Sequence, residues 1–225
     1  MTPTDDAPSV PAWRRTTEGE TRWAASLALL VAIACQIALP LEFTTRRWLI
    51  PAIELALLLG SLLMNPTRIG RHSPAVRRVS LAVIGLLTLA NGRSAWTLIQ
   101  HLIDGKETDA TRLLASGLAI WVTNMIAFAL WYWEFDRGGP GRRSEGVRDF
   151  PDFLFPQMQA PELAPPDWEP AFVDYLYLSF TNATAFSPTD VLPMTQWAKL
   201  TMLVQSSVSF VTVLLVIARA VNIVG

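Results

Sequence analysis

The sequence predicts an all-α integral membrane protein with five transmembrane helices and one re-entrant half-length helix. Of its 225 residues, 51% are hydrophobic and only 16% are charged, whereas a soluble domain carries about 25% charged residues. The apolar residues come in long blocks, which is typical of membrane-spanning helices. One further block is amphipathic and too short to cross a bilayer, and it accounts for the re-entrant helix.

The apolar blocks divide the chain into three regions. A polar tail over residues 1–22 is expected to be disordered, and the apolar run after it lacks a clean signal-peptide cleavage site. Residues 23–110 are expected to form a three-helix membrane bundle, and residues 111–225 a second module with the last two spans. The five predicted spans cover residues 23–43, 48–64, 79–103, 111–132 and 195–223.

Composition excludes several classes of site. Cys35 is the single cysteine, and the two histidines, His72 and His101, are far apart, so neither a disulfide framework nor a metal site is expected. The net charge of −1 gives no nucleic-acid footprint. The chain also lacks the common hydrolase, zinc-protease and nucleotide-binding motifs, so we expect no enzyme activity and no cofactor. The lipid bilayer is the first expected partner.

About sixty residues separate the fourth span from the fifth. Their first part, "FDRGGPGRRSEGVRD", is predicted to be a flexible charged loop. The second part, "FPDFLFPQMQAPELAPPDWEP", contains six prolines, which forbid a long helix or a central strand. Its aromatic residues make it apolar enough to lie along the membrane face or over a neighbouring subunit.

The predicted half-length helix covers residues 171–185 and is followed by "FSPTDVLP". As a helix it would be only ~22 Å long at 1.5 Å per residue, whereas a bilayer core is about 30 Å thick. Irregular backbone at membrane depth persists only where protein or water covers it. A symmetric oligomer around a central axis would provide that cover.

The segment "YLSFTNATAFSPTDVLPMTQWAK", residues 177–199, resembles the pore segment of the potassium-channel superfamily. The resemblance covers about fifty residues when the fifth span is counted as the inner helix. It implies a homotetramer with a central pore and a monovalent cation as the ligand. The positions that match the family pattern without a gap are Tyr177, Ser179, Thr184, Asp190, Pro193, Thr195, Ala198 and Lys199. The C-terminal half, which ends in "ARAVN", also resembles an uncharacterised family of five-helix bacterial membrane proteins.

The departure from the potassium-channel pattern falls on the selectivity filter. Potassium filters line the ion path with backbone carbonyls, and the family's glycines permit the backbone angles that this requires. Here Ser187, Pro188 and Thr189 disfavour those angles, so no potassium-type filter is expected. The filter-like segment consists of Thr184, Ala185, Phe186, Ser187, Pro188, Thr189 and Asp190.

Two functions follow from this combination. The first is an ion-channel-like protein with a cation-conducting pore that lacks a potassium-type filter. The alternative is a non-conducting membrane scaffold or partner subunit derived from a channel fold, in which Phe186 and Pro188 close the axis. Asp190 would form a ring of carboxylates that attracts cations in the first case; otherwise it is a turn residue.

Polar residues recur on one face of the fifth span. Thr201, Gln205, Ser209 and Thr212 are spaced at i, i+4, i+8 and i+11, which places them on one side of a helix. They are candidates for lining a water-filled pore. Small polar residues also join helices to one another in bilayers, and the spacing does not separate the two interpretations.

Two ionisable residues lie inside predicted spans, where charge is costly. Glu54 is ten residues from the end of the second span, or ~15 Å, and Arg93 is fourteen residues from the start of the third, or ~21 Å. A long arginine side chain covers the difference, so an intramembrane ion pair is predicted, with an ion or proton relay as the alternative. Glu42 and Glu134, at span ends, are expected to be interfacial.

Basic residues are distributed unevenly between the two sides. Eleven arginines fall in the N-terminal tail, the second loop and the long loop, against four basic residues on the opposite side. The positive-inside rule then places the N-terminus in the cytoplasm, and the half-length helix enters from the cytoplasmic face. Potassium channels have the reverse orientation. The arginine and alanine bias suggests a bacterial genome, so the expected location is the inner membrane.

Overall fold

Helices form most of the structure, a computed structural model that describes residues 10–44, 47–64, 73–105, 109–184 and 190–224. The helices are α1 (Trp23–Ala38), α2 (Leu49–Met64), α3 (Pro74–Ile103), α4 (Ala110–Phe135), α5 (Pro140–Ser144), α6 (Pro156–Gln159), α7 (Phe172–Thr184) and α8 (Gln196–Val224). Two short strands, β1 (Phe153–Leu154) and β2 (Leu192–Pro193), pair antiparallel. Short 3-10 turns cover Ala12–Arg14, Leu41–Phe43, Asp136–Gly138 and Pro161–Leu163.

Three helices are long and apolar enough to cross a membrane. They are α3, α8 and the stretch that begins with α4 and runs through α5. The expected all-α fold is confirmed at this level, and the three helices support a membrane protein. The helices α1 and α2 are apolar but have 16 residues each, which is ~24 Å of helix. This is shorter than a bilayer core of about 30 Å.

Side chains cap the starts of two long helices. The Ser73 hydroxyl accepts a hydrogen bond from the Val76 amide, and Pro74 occupies the first position of α3, where its missing N–H is not needed. An Asp109 oxygen accepts from the amides of Thr111 and Arg112 at 2.9 and 3.1 Å. Both are the residue types that satisfy the free amides of a helix start, which explains why α3 and α4 begin here.

Helix α4 is the centre of the packing. It packs against α1, α3, α7 and α8, and the Trp131 indole donates to the Thr88 hydroxyl of α3 at 2.9 Å. One apolar cluster surrounds its C-terminal half and includes Leu29, Leu87 and Tyr175. A second cluster, around Leu98, Leu113 and Ile120, surrounds its N-terminal half. The short helix α7 packs against α4 and α8.

Residues 10–22 of the N-terminal segment, part of the predicted disordered tail, pack against the helices. Trp13 is only 5% exposed and belongs to the first apolar cluster. The Arg22 side chain is buried and donates to the backbone oxygen and hydroxyl of Ser61 on α2, at 2.8 and 3.1 Å. The tail folds back because one aromatic residue and one arginine find buried partners.

The first part of the charged segment after α4, residues 136–144, is largely buried and contains α5, so its prediction as a flexible loop was wrong there, whereas most of residues 145–149 are exposed. Asp136 and Arg137 are at most 1% exposed, and Arg143 is 5% exposed. Gly138 and Gly139 have φ values of +88° and +97°, which favour glycine, and they turn the chain into α5. Prediction failed here because the charges bind one another and distant backbone groups instead of water.

The proline-rich segment agrees with its prediction, because α6 has four residues and β1 only two. Phe153 and Leu154 pair with Pro193 and Leu192 of β2. The short helix expected at 171–185 is α7, with 13 residues and a length of ~20 Å. Of the filter-like segment, Ala185, Phe186, Ser187, Pro188 and Thr189 lie outside the described residues.

Gly117 sets the distance between α4 and α8, which gives a first prediction. A Cβ at Gly117 would lie 2.9 Å from both methyl groups of Val216. Gly117→Ala should therefore cost about 1–3 kcal/mol, as overpacking does, and lower the thermal unfolding temperature in detergent. A second change, Val216→Ala, should recover most of that loss.

A matched control is Gly85→Ala on α3, where an added Cβ meets no atom within 4 Å. It should be neutral or slightly stabilising, since alanine is the better helix former. Equal losses for Gly85→Ala and Gly117→Ala would show that α4 and α8 do not pack as described.

Candidate functional site

Helix α7 is fixed at its N-terminal end by two carboxylates. The Phe172 amide donates to Glu20 Oε2 at 2.9 Å, and the Ala171 amide donates to Asp174 Oδ2 at 2.8 Å. Tyr175 and Leu178 are fully buried one turn further on. Negative charge at a helix start is favourable because the free amides carry partial positive charge. The start of α7 is therefore anchored both electrostatically and by packing.

A polar cluster, consisting of Tyr132, Ser179, Asn182 and Gln205, joins α7 to α4 and α8. Gln205 is fully buried, and its Nε2 donates to the backbone oxygen and hydroxyl of Ser179 at 2.9 and 2.6 Å. Its Oε1 accepts from the Tyr132 hydroxyl at 2.6 Å and from Asn182 Nδ2 at 2.7 Å. The Gln205 amide thus uses all of its hydrogen-bonding capacity.

The network extends from the polar cluster to its neighbours. Ser179 Oγ donates to the Met125 carbonyl of α4 at 2.6 Å, and Ser206 Oγ donates to the Asn182 side-chain oxygen at 3.1 Å. Further along α8, Asn124 Nδ2 donates to Ser209 Oγ at 3.1 Å. Each bond connects α7 or α4 to a neighbouring helix, so the network fixes the position of α7 against both long helices.

Three of the four candidate pore-lining residues are buried in this chain, and the fourth, Thr201, is half-buried. Gln205, Ser209 and Thr212 are at most 2% exposed, and the Thr201 hydroxyl donates to the Trp197 carbonyl of its own helix at 2.9 Å. The Thr212 hydroxyl has no hydrogen-bond partner within the part of the chain that is described. For Gln205 and Ser209 the contacts favour the helix-joining interpretation, because their side chains are bonded to α7 and α4.

An open groove lies beside the C-terminal end of α7, and we call it the α7–α8 groove. Its volume is about 690 Å³. Its polar side is formed by Asn182, Thr184, Ser206, Ser207 and the candidate pore-lining residue Ser209. Its apolar side is formed by Trp121, Phe210, Val213, Leu214 and Ile217. The last carbonyls of a helix carry partial negative charge, so the α7 end of the groove favours a cation. Asp190, the last residue of the filter-like segment, is exposed.

A buried charged cluster occupies the opposite end of α7. It consists of Glu20, Glu134, Asp136, Arg137, Arg143 and Asp152. Asp136 is fully buried; its Oδ2 accepts from the Tyr175 hydroxyl at 2.5 Å and its Oδ1 from the Asp152 amide at 2.9 Å. The end of α4 is therefore bound directly to the second turn of α7.

Asp152 and Arg137 connect α8 and the N-terminal segment to the same point. Asp152 accepts from the Arg137 amide at 2.8 Å through one oxygen and from the Trp197 indole at 2.9 Å through the other. The Arg137 guanidinium donates to the Arg148 carbonyl and to the Trp13 carbonyl and lies 5.4 Å from the centre of the Trp13 ring. A buried guanidinium needs such partners, because an unpaired buried charge is very costly.

Arg143 is the central cation of the charged cluster. Its Nη1 donates to the carbonyls of Trp133 and Asp136 at 2.5 and 3.1 Å, and its Nη2 lies 3.9 Å from Glu20 Oε1. The Trp133 indole donates to the same Glu20 oxygen. Burial raises the pKa of the Glu20 carboxyl to about 7, while the Arg143 guanidinium opposes the rise.

Sequence reasoning missed the charged cluster and placed Glu134 at the interface. Glu134 is 3% exposed, and Arg77 Nε lies 3.5 Å from its Oε1. A signal was present, because acidic residues follow the aromatic end of α4 directly and two glycines come next. Glu42, in contrast, is exposed and pairs with Arg112 at 2.9 Å, as an interfacial residue does.

Glu54 lies between α1 and α2 in the structure. It is fully buried, and its two oxygens accept from Gln36 Nε2 at 3.2 and 2.9 Å. Arg93 is exposed on α3 and lines a small cavity together with Gln36. The Glu54–Arg93 ion pair stays a prediction, and Gln36 is the partner by which Glu54 is held here.

Among the described residues, no group of three or more histidine, cysteine, aspartate or glutamate side chains could hold a metal ion. Comparisons of the chain with protein-family models, with curated proteins and with solved structures give no match. The interpretation of the groove and the two clusters therefore depends on their own chemistry.

The polar cluster gives a second prediction. Gln205→Leu removes the amide that pairs with Ser179, Tyr132 and Asn182 and leaves their polar atoms buried. The cost should be about 1–3 kcal/mol, since each bond in a bilayer protein is worth roughly 0.6 and unpaired buried groups add to it. Thermal unfolding in detergent measures it.

The control is Ser207→Ala on the same helix. Ser207 is exposed and donates only to the Leu203 carbonyl of α8 at 2.8 Å. This change should stay within about 0.5 kcal/mol of the wild type. If Gln205→Leu is as mild as Ser207→Ala, the cluster does not hold α7.

Glu20 gives a third prediction, on pH. Its ordinary pKa of 4.5 is raised to about 7 in the folded chain, so the folded state binds the proton more tightly. The stability that this provides is complete below about pH 4.5 and is lost as the pH rises through about 7. Arg143, Glu134 and Glu169 are the charged groups that act on or respond to Glu20.

Between about pH 5 and pH 8, the unfolding temperature of the wild type should fall by about 5–10 °C more than that of Glu20→Gln, which corresponds to about 2.5 kcal/mol. Glu162→Gln, a change at an exposed residue, should keep the wild-type slope. Identical slopes for wild type and Glu20→Gln would contradict the assignment.

Proposed function

We propose that this chain is the subunit of a homotetrameric, multi-pass inner-membrane pore that conducts small monovalent cations without a potassium-type filter. The observation that carries the proposal is α7. It is a helix too short to cross a bilayer, anchored at one end, and its other end opens onto a polar groove beside a long apolar helix. The resemblance to potassium-channel pores supports the same arrangement.

The depth of α7 supports re-entry into the membrane. The starts of α7 and α8 meet at one level, because the Phe153 ring contacts both Tyr175 and Trp197, at 6.5 and 5.5 Å between ring centres. Asn182 lies ten residues into α7 and its partner Ser206 lies ten residues into α8, which is ~15 Å along each helix. Helix α8 has 29 residues, or ~43 Å, so α7 ends near its middle.

The return of the chain fits the same geometry. Leu192, in β2, pairs with Leu154 of β1 at the level where α7 begins. Seven residues lie between Thr184 and Leu192, and an extended chain over those eight steps reaches at most ~29 Å. Both arms of a hairpin ~20 Å deep can therefore begin and end on one membrane face.

Arginine-rich segments meet at that face. Arg22 of the N-terminal segment, Arg77 in the first turn of α3 and Arg143 of α5 all lie around Glu134. The positive-inside rule makes this face cytoplasmic. In the proposed topology all five apolar helices cross, the N-terminus is in the cytoplasm, and α7 enters from the cytoplasmic side.

Cation preference has two sources in the proposed pore. The C-terminal carbonyls of α7 are directed toward the middle of the membrane, where partial negative charge favours a cation. Asp190 is exposed where the chain has returned toward the cytoplasmic face. Four copies around an axis would form a carboxylate ring, which attracts cations and repels anions.

A non-conducting scaffold is the second candidate, and the exposed face of α8 favours it. Large apolar side chains cover that face, including Leu200, Leu203, Val204 and Leu214, each more than half exposed. Gln205, Ser206 and Ser209 of α8 are bonded to α7 or α4. A central axis lined only by this apolar face would not hold water.

Cation flux into liposomes that contain the purified protein separates the two functions and gives a fourth prediction. We expect flux from the wild type and about a tenfold reduction for Asp190→Asn, because the ring loses its charge while the shape is kept. Glu162→Gln, on the same proposed face, should conduct like the wild type.

Native mass spectrometry of the same preparations should show four copies for all three proteins. A protein that is only monomeric would contradict the proposed pore. A stable tetramer without flux would support the scaffold function. Equal flux from the wild type and Asp190→Asn would show that Asp190 does not form a carboxylate ring in the pore.

A further inference from the structure

A small cavity lies between the α1–α2 connection and α3, far along the chain from the α7–α8 groove. Thr44 and Arg47 line it from the connection, and Arg93 and Ser94 line it from α3. Its floor is apolar and includes Leu39, Ile50 and Pro51. The volume is about 30 Å³, which is enough for one or two atoms of a ligand head group. It is also enough for a water molecule, because part of the wall is polar.

Arg47 is held at the wall of this cavity. Its Nε donates to the Ile37 carbonyl at the end of α1, at 3.0 Å, and its guanidinium carbon lies 5.7 Å from the centre of the Trp48 ring. These contacts fix the side chain through Nε and its flat face. A guanidinium fixed in this way presents its two terminal nitrogens with little further loss of entropy.

Arg93 reaches the same cavity from the membrane interior. It lies ten residues, or ~15 Å, before the end of α3 at Ile103. Its side chain is exposed. Long arginine side chains on an apolar surface extend toward the interface while their stems stay in the hydrocarbon. The two arginines therefore start at different depths in the proposed membrane and line the same cavity.

No carboxylate belongs to the described wall of the cavity. Glu54 is fully buried and bonded through both oxygens to Gln36 Nε2, and Glu42 pairs with Arg112. Gln36 lines the cavity and neither acid does. The described wall thus contains two arginines and no carboxylate, a composition that favours an anion.

The surroundings of the cavity indicate that the anion is amphipathic. Trp48 is 67% exposed and Trp96 is 62% exposed, as aromatic residues at a membrane interface are. Below them, the large apolar side chains of Leu49, Ile53 and Leu89 are also exposed. A ligand with an anionic head and hydrocarbon chains would contact both parts of this surface.

We propose that Arg47 and Arg93 bind the phosphate of an anionic phospholipid in the leaflet at which α2 begins, with its acyl chains along α2 and α3. Guanidinium and phosphate form paired, charge-assisted hydrogen bonds, and Thr44 and Ser94 supply further hydroxyls. A zwitterionic choline lipid binds less well, because its cationic end group is repelled by the two arginines. The site depends on the membrane crossing of α2 and α3 and not on conduction.

Native mass spectrometry in detergent tests the site by stepwise addition of phosphatidylglycerol or phosphatidylcholine. The wild type should bind phosphatidylglycerol at least tenfold more tightly than phosphatidylcholine. The double variant Arg47→Gln/Arg93→Gln should lose that preference, and each single variant should lose about threefold. Arg112→Gln is the matched control, because Arg112 is an exposed arginine near the same end of the bundle, paired with Glu42.

A second measurement tests the proposal even if the double variant is less stable than the wild type. Phosphatidylglycerol should raise the unfolding temperature of the wild type and of Arg112→Gln, but not of the double variant, relative to each protein without lipid. Retained preference in the double variant, or equal binding of the two lipids by the wild type, would overturn the proposal. Displacement of the lipid by millimolar inorganic phosphate would assign the site to free phosphate instead.

Discussion

The buried guanidinium of Arg143 is the interaction on which the position of α7 depends. It binds the carbonyls of Trp133 and Asp136 at the end of α4 and lies 3.9 Å from Glu20, and Glu20 in turn accepts the first amide of α7. A buried cation of this kind is tolerated only with several partners. Gly138 and Gly139 make those partners available, because their positive φ values return the chain beneath α4. Without that turn, Arg143 would not reach the end of α4, and the Glu20 carboxylate that joins α4 to the start of α7 would lose its cation.

Given this attachment, the length of α7 determines what lies at its other end. A rigid helix of ~20 Å that starts beside Trp197 must end halfway along α8, and there Asn182 and Gln205 meet. The charged cluster and the polar cluster thus hold the two ends of α7, one through charges and one through neutral hydrogen bonds. Neutral groups suit the inner position, because burying charge in hydrocarbon is far more costly than burying a satisfied amide. The α7–α8 groove is a consequence of where α7 stops.

The sequence predicted what depends on local pattern and missed what depends on distant partners. Continuous hydropathy located α3, α4 and α8 to within a few residues, because a span needs only its own side chains to be apolar. Arg137 and Trp13 are 124 residues apart, and no local pattern indicates that either is buried. The polar face of α8 was ambiguous for a related reason. Residues at i and i+4 fall on one side of a helix whether that side meets water or another helix, and only the contacts of Gln205 and Ser209 distinguish the two.

The placement of that polar face limits how the proposed pore can select ions. In potassium channels the ladder of carbonyls provides selectivity, and the sequence here disfavours such a ladder. Nor can α8 replace it, since Gln205 and Ser209 are bonded to α7 and α4. The polar groups that remain for an axis include the C-terminal carbonyls and hydroxyls of α7, near Thr184, the exposed hydroxyl of Ser207 and the carboxylate of Asp190. These groups attract cations by charge without enclosing a dehydrated ion. Selection in the proposed pore is therefore by sign of charge more than by ionic radius, and Na⁺ and K⁺ should pass at similar rates.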